Sequence, residues 1–153
     1  MARPEASLDS TITRETIEAA RDRIRGSVAV TPCPESIALS ELTGCRVFCK
    51  LEYLQRTGSF KERGAANALA QLGDEQRRLG VIAASAGNHA LALAYHGQRL
   101  GIPVTVAMPQ FAPLIKAATC RRLGATVIMG GDSFASARAK ADELVKSQGL
   151  TYV

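Results

Sequence analysis

Tryptophan is absent from this chain of 153 residues, aromatic residues make up 5% of it, and only two histidines occur. Each shortage excludes something. A net charge of +5 without aromatics interleaved among the basic residues does not read as a nucleic-acid surface. The tightest basic pairs, Arg77-Arg78 and Arg121-Arg122, are expected on solvated loop or helix surfaces, and a slightly basic chain also suits an anionic ligand. His89 and His96 stand seven residues apart, which misses the i, i+4 spacing of a helical metal pair. The four cysteines, Cys33, Cys45, Cys49 and Cys120, form no CxxC, although Cys45 and Cys49 would share one face of a strand. No metal site is expected, and the thiols are read as reduced and structural. No apolar run nears the eighteen or so residues of a membrane span. The N-terminus carries Glu5 and Asp9 and reads as neither a signal peptide nor an Arg-rich transit peptide, so the expected compartment is the cytoplasm. No G-x-G-x-x-G follows a strand pattern and no P-loop occurs, which disfavours a nicotinamide or ATP role.

What remains is an ordinary globular composition, 46% hydrophobic and 22% charged, with enough length for one core. The first dozen residues show no periodicity and are expected to fray. Thr13 to Ile24 reads as a helix capped by Thr13, with Gly26 beyond its end. Thr31-Pro32-Cys33-Pro34 forbids a helix, Ser36 to Glu41 reads as a short one stopped near Gly44, and Arg46 to Glu52 alternates like a strand. A helix follows to about Leu72. Beyond Gly73 the rhythm changes: strands at Val81–Ser85, Pro103–Met108, Thr126–Met129 and Leu150–Val153 alternate with helices at Asn88–Leu100, Pro113–Leu123 and Ser133–Lys146. This is the beat of a right-handed βαβ array with a parallel sheet. The fold class is therefore α/β. Residues 77–153 read as a compact three-layer unit, and residues 1–76, with too few strands for a sheet, as an incomplete part of a larger domain.

One lysine stands out. Lys61 lies in Thr57-Gly58-Ser59-Phe60-Lys61-Glu62-Arg63-Gly64-Ala65, a turn leading into a helix. Ser59 and Glu62 have the spacing of a reciprocal capping box, which puts Lys61 in the first helical turn. There the helix dipole favours anions, so the amine is expected to lose its proton more readily than a surface lysine and to serve as a nucleophile towards an aldehyde. An ordinary surface lysine fits the local pattern as well. Lys50 and Lys116 are rival amines, but neither has this turn-to-helix setting. A second motif, Ser85-Ala86-Gly87-Asn88-His89, falls where a strand hands over to a helix, the place where open parallel sheets bind ligands. Its helix-start N–H groups suit a carboxylate or phosphate. A tight connection with Asn88 as the helix cap accounts for the pattern equally well. His89 and His96 read as packed scaffold and core residues.

These two motifs, with Thr31-Pro32, Leu39-Ser40, Lys50-Leu51-Glu52, Met108-Pro109, Pro113, Lys116 and Gly124-Ala125-x-Val127, resemble the serine/threonine dehydratases, from about Thr13 to the last residue. These are pyridoxal-phosphate enzymes of the fold shared with serine racemase, cysteine synthase and the tryptophan synthase β subunit. The resemblance implies that Lys61 carries the cofactor covalently and takes the Cα proton. Phe60 would flank the cofactor, and Asn88 would bond its phenolic oxygen. Ser85, Ala86, Gly87 and His89 would form the loop that grips the substrate carboxylate. It also implies an L-threonine or L-serine substrate, a 2-oxo acid and ammonia as products, a homo-oligomer, and a small domain inserted into a large one. Serine racemases carry a serine where this chain has Ala86, which favours dehydration over racemisation. Leu91-Ala92 departs from the Gln-Gly common in the dehydratases. The phosphate-holding glycine loop and the partner of the pyridine nitrogen would lie beyond Val153, Gly130-Gly131 being a poor stand-in. The chain thus reads as the first half of an enzyme, inactive alone. The alternatives are a non-catalytic fragment or remnant, or a racemase or β-replacing synthase of the same fold.

Overall fold

The computed structural model describes residues 12–153. The N-terminal segment expected to fray lies almost wholly outside that range. Helix α1 (Arg14–Arg23) starts on Thr13, whose hydroxyl accepts from the Thr16 N–H. Helix α2 (Ile37–Thr43) starts on Ser36 and ends at Gly44 in the left-handed conformation. Both caps are the residues the sequence marks.

The strand expected over residues 46–52 does not form. Its only bridge pairs Phe48 with Glu35 in the antiparallel sense. The Cys49 and Leu51 N–H groups donate to the carbonyls of Pro34 and Pro32. The Ser36 N–H returns one bond, to the Val47 carbonyl, but neither proline has an N–H, so beyond that pair the ladder runs one way and stops. Cys45 and Cys49 accordingly share no strand face, and all four cysteines are free thiols. No group of residues able to hold a metal ion occurs among the described residues.

A 3-10 turn (Glu52–Leu54) leads to α3 (Lys61–Ala70), which stops two residues short of the expected Leu72. Helix α4 (Asp74–Leu79) lies outside the expected elements. Its signal is in the sequence: Asp74 and Glu75 in the first turn, Arg77 and Arg78 in the last, and Gly80 after it, a charge order matching the helix dipole.

From here the expected beat holds to within about two residues. The elements are β1 (Val81–Ala84), α5 (Asn88–Leu100), β2 (Val104–Met108), α6 (Leu114–Arg122), β3 (Thr126–Met129), α7 (Phe134–Gln148) and β4 (Thr151–Tyr152). The four strands form one parallel sheet in the order β3-β2-β1-β4. Alternate residues of β1 serve opposite faces. Val81 and Ala83 join α3, α5 and α6 in one core cluster, and Ile82 and Ala84 join Ala137, Ala141 and Leu144 of α7 in the other. The result is three layers, with α7 on one face and α5 and α6 on the other. Ala65 and Leu69 of α3 are buried in the first cluster, so the lysine helix is packed directly onto α5. No helix among the described residues is long and apolar enough to cross a membrane.

Gly97 sets how closely α5 approaches β2. A Cβ there would meet the Val104 Cγ2 at 2.2 Å and the Ile102 carbonyl oxygen at 3.0 Å. Gly97→Ala is expected to lower stability by about 1–3 kcal/mol through overpacking, read as an earlier urea midpoint. An unchanged midpoint would show that the helix moves away at no cost.

Candidate active site

Lys61 is the first residue of α3 and Phe60 its N-cap. Ser59 is buried and its hydroxyl accepts the Lys61 N–H at 3.3 Å. The Lys61 side chain is exposed, with Nζ 5.3 Å from the centre of the Phe60 ring, itself 60% exposed. Amine and ring therefore stand together at the surface, at the head of a helix whose other face is in the core.

The expected capping box between Ser59 and Glu62 is absent. Glu62 turns inward and is fully buried (0% exposed). One carboxylate oxygen accepts the Thr57 N–H, and the other lies 3.6 Å from Nε2 of His96, which is 2% exposed. The helix starts one residue later than the capping spacing requires, and a buried partner on α5 outweighs a solvated cap. Thr57 Oγ1, Glu62 Oε2 and His96 Nε2 are the buried side-chain polar atoms without a hydrogen-bond partner among the described residues. All three belong to this one cluster behind the lysine turn. Burial pushes the His96 imidazole below its ordinary range; Glu62 opposes this, while Arg99 and Arg56 add to it. His96 is thus the buried residue on α5 that the sequence implies, but its partner is the residue next to Lys61.

Two further ties fix the turn. Arg56 donates to the Tyr95 hydroxyl of α5 at 2.9 Å. Glu52 accepts both Nε and an Nη of Arg63, at 2.8 and 2.7 Å, along with the Thr31 hydroxyl at 2.6 Å and the Gln55 amide at 3.2 Å. The bidentate Arg63 bond is the main reason the Glu52 carboxyl falls to about 2. This one carboxylate joins the proline segment, the 3-10 turn and the lysine helix. Glu52 and Arg63 belong to the motifs flanking Lys61, but no spacing rule announces that they pair.

At the head of α5, Gly87 is the N-cap, and no side chain caps the helix. Asn88 is the first helical residue, so the reading of Asn88 as the cap does not hold. Its Oδ1 accepts from Nζ of Lys116 on α6 at 3.2 Å. The Ser85 hydroxyl accepts the Gly87 N–H at 3.3 Å, closing the loop on itself. Ala86 is half-buried against the core. His89 Nε2 meets the carbonyl oxygen of Val153 at 3.0 Å, which ties the helix head to the segment after β4. Leu91 and Ala92 are both buried.

The rival lysines are engaged elsewhere. Lys50 donates to the Thr31 carbonyl and Lys116 to Asn88. Gly130-Gly131 is no open loop, since a Cβ on Gly131 would lie 2.1 Å from the Ser136 hydroxyl. The Lys61 amine lies beside the adjacent Phe60 ring and makes no hydrogen bond among the described residues.

The chain is 45% identical over 142 residues to an L-threonine ammonia-lyase of Thermotoga maritima, covering 93% of this chain and 35% of that protein. Among solved structures, serine racemase from Dictyostelium discoideum superposes with a TM-score of 0.85 at 32% identity, over 93% of this chain and 46% of the other. Threonine deaminase isoform 2 from Solanum lycopersicum gives 0.79 at 36% identity, over 93% and 40%. The chain spans less than half the length of each. An exposed amine, an amide with free N–H bonds and an uncapped helix start fit the aldehyde-and-phenol end of pyridoxal phosphate. The model of pyridoxal-phosphate dependent enzymes matches residues 24–153, from the end of α1 through both motifs to the last residue, and the chain belongs to that family.

Proposed function

We propose that the full-length protein is a pyridoxal-phosphate-dependent ammonia-lyase that dehydrates and deaminates L-threonine or L-serine to a 2-oxo acid and ammonia. The observation that carries this reading is Lys61: an exposed amine at the head of a helix whose neighbouring residue is locked into the core. In the proposed reaction the Lys61 amine would hold the cofactor, and Nζ, once free, would remove the proton from Cα. When bound, the cofactor supplies an electron sink for the charge left on that carbon. The N–H groups at the uncapped start of α5, with the Ser85-Ala86-Gly87 loop, hold the substrate carboxylate. The Asn88 amide donates to the phenolic oxygen, Phe60 flanks the cofactor, and His89 keeps the helix head in place. Residues 1–76 belong on this reading to a larger cofactor domain and residues 77–153 to a small domain. We place the protein in the cytoplasm as a homo-oligomer acting on a small amino acid and not on nucleic acid.

The test is direct: full-length protein supplied with pyridoxal phosphate should form ammonia and a 2-oxo acid from L-threonine or L-serine. Absence of product from both, with cofactor bound, would overturn the proposal.

Racemisation is the second reading, and the likeness to serine racemase favours it. Ala86 argues against it, because a methyl group has no proton to deliver to the second face of Cα. Ala86→Ser is expected to raise D-serine formed per pyruvate formed. An unchanged ratio with cofactor bound would show that position 86, which packs against the core, does not face Cα.

A further inference from the structure

The contact between Lys116 and Asn88 links two residues of different elements, one on α6 and one at the head of α5. An ammonium group is a donor only. The end of the Asn88 side chain that faces Lys116 must therefore be its oxygen. Ordinarily the orientation of an exposed amide is decided by whichever partners it meets. Here one partner decides it, and the amide NH2 is turned the other way. No acceptor among the described residues takes either of its N–H bonds. Lys116 is half-buried on α6, whose Ala117 and Cys120 are buried in the core cluster shared with α5. Its backbone position relative to Asn88 is thus set by packing and not by a mobile loop.

We infer that Lys116 is the positioning residue for Asn88: it fixes the amide so that the NH2 points to an anionic oxygen and, acting through that amide, favours the ionised form of the oxygen. This rests on the reading above, in which Asn88 meets the phenolic oxygen of pyridoxal phosphate. It also gives Lys116 a role other than that of rival to Lys61. A cation beside the amide oxygen polarises the amide and strengthens its N–H donors. The ionised phenol is the form that absorbs in the visible, and the neutral form absorbs in the near ultraviolet. Loss of Lys116 should therefore move absorbance out of the visible band and loosen the cofactor.

The experiment uses full-length protein with pyridoxal phosphate as the probe, and reads the ratio of visible to near-ultraviolet absorbance across pH along with the cofactor dissociation constant. Lys116→Met is expected to lower the ratio and weaken binding by roughly 10-fold, the scale of outer residues that orient a ligand-holding side chain. Lys116→Arg keeps a donor-only cation and should restore most of both. In an Asn88→Ala background Lys116→Met should have no further effect, since its partner is gone. The inference is overturned if Lys116→Met leaves ratio and affinity unchanged, or if its effect is as large without Asn88. It is equally overturned if Lys116→Met and Lys116→Arg both lose the visible band altogether, which would make Lys116 the attaching amine and remove Lys61 from the proposed function as well. Unperturbed Lys116 variants with a band that still depends on Lys61 would sink the inference alone and leave the proposed function standing.

Discussion

Lys61→Ala in the full-length protein is expected to abolish the visible band of bound pyridoxal phosphate and to cut 2-oxo acid formation by at least about 10³-fold. Two roles fall together: the covalent hold on the cofactor and removal of the Cα proton, and loss of a positioned base alone is worth about 10²–10⁴-fold. The fold should not suffer. The Lys61 side chain is exposed and forms no hydrogen bond among the described residues, and alanine is a good residue in the first turn of a helix. Lys50→Ala and Lys116→Ala should keep a visible band, because those amines serve the Thr31 carbonyl and the Asn88 amide. A band that survives Lys61→Ala and is lost with Lys50→Ala would place the attachment on the wrong residue here.

His96→Leu is expected to cost about 1–3 kcal/mol of stability, a large part of the 5–15 kcal/mol typical of a folded domain. The substitution leaves the Glu62 carboxylate buried, with the Thr57 N–H as its one remaining partner. Glu62→Leu/His96→Leu should recover most of the loss, since replacing both members of a buried polar pair by apolar groups leaves no unpartnered polar group in the core. Urea unfolding of the two variants and the parent decides it. Equal losses in single and double variants would mean that the pair is packing and nothing more. The same pair gives the parent a pH dependence. The folded-state value of His96 lies below its ordinary 6.5, so the unfolded chain binds the proton first as pH falls. The stability is complete above about pH 6.5 and is lost as pH drops below it towards the folded-state value. In the double variant that part of the slope should vanish. The turn before Lys61 hangs on this cluster through Thr57, so cofactor binding should weaken in parallel with the loss of stability.

The local elements were legible because their causes are local. Thr13 and Ser36 cap helices by bonding residues three positions on, Gly44 ends one by accepting a positive φ, and the apolar spacing of 88–100 marks a buried helix. The strand expected over 46–52 failed for a reason that spacing cannot show. Its alternation is real, but the partner that meets it is Pro32-Cys33-Pro34, which has too few N–H groups to build a ladder. The Ser59–Glu62 capping box failed in the same way. The spacing was right, and a partner 34 positions along the chain from Glu62 won the carboxylate.

The α/β class, the parallel beat, the two motifs and the lysine at the head of a helix follow from the order of residues alone, because each is written in contacts or periods a few residues long. Packing in three dimensions sets Glu62 against His96, gathers Arg63, Thr31 and Gln55 on Glu52, and brings Lys116 to Asn88. Each of these joins side chains from different segments. Burial makes such pairings compulsory for Glu62 and His96, since a carboxylate or imidazole removed from water must take whatever partner the packing brings. Which partner that is depends on how α3, α5 and α6 cross, and no residue pattern along the chain contains those crossings.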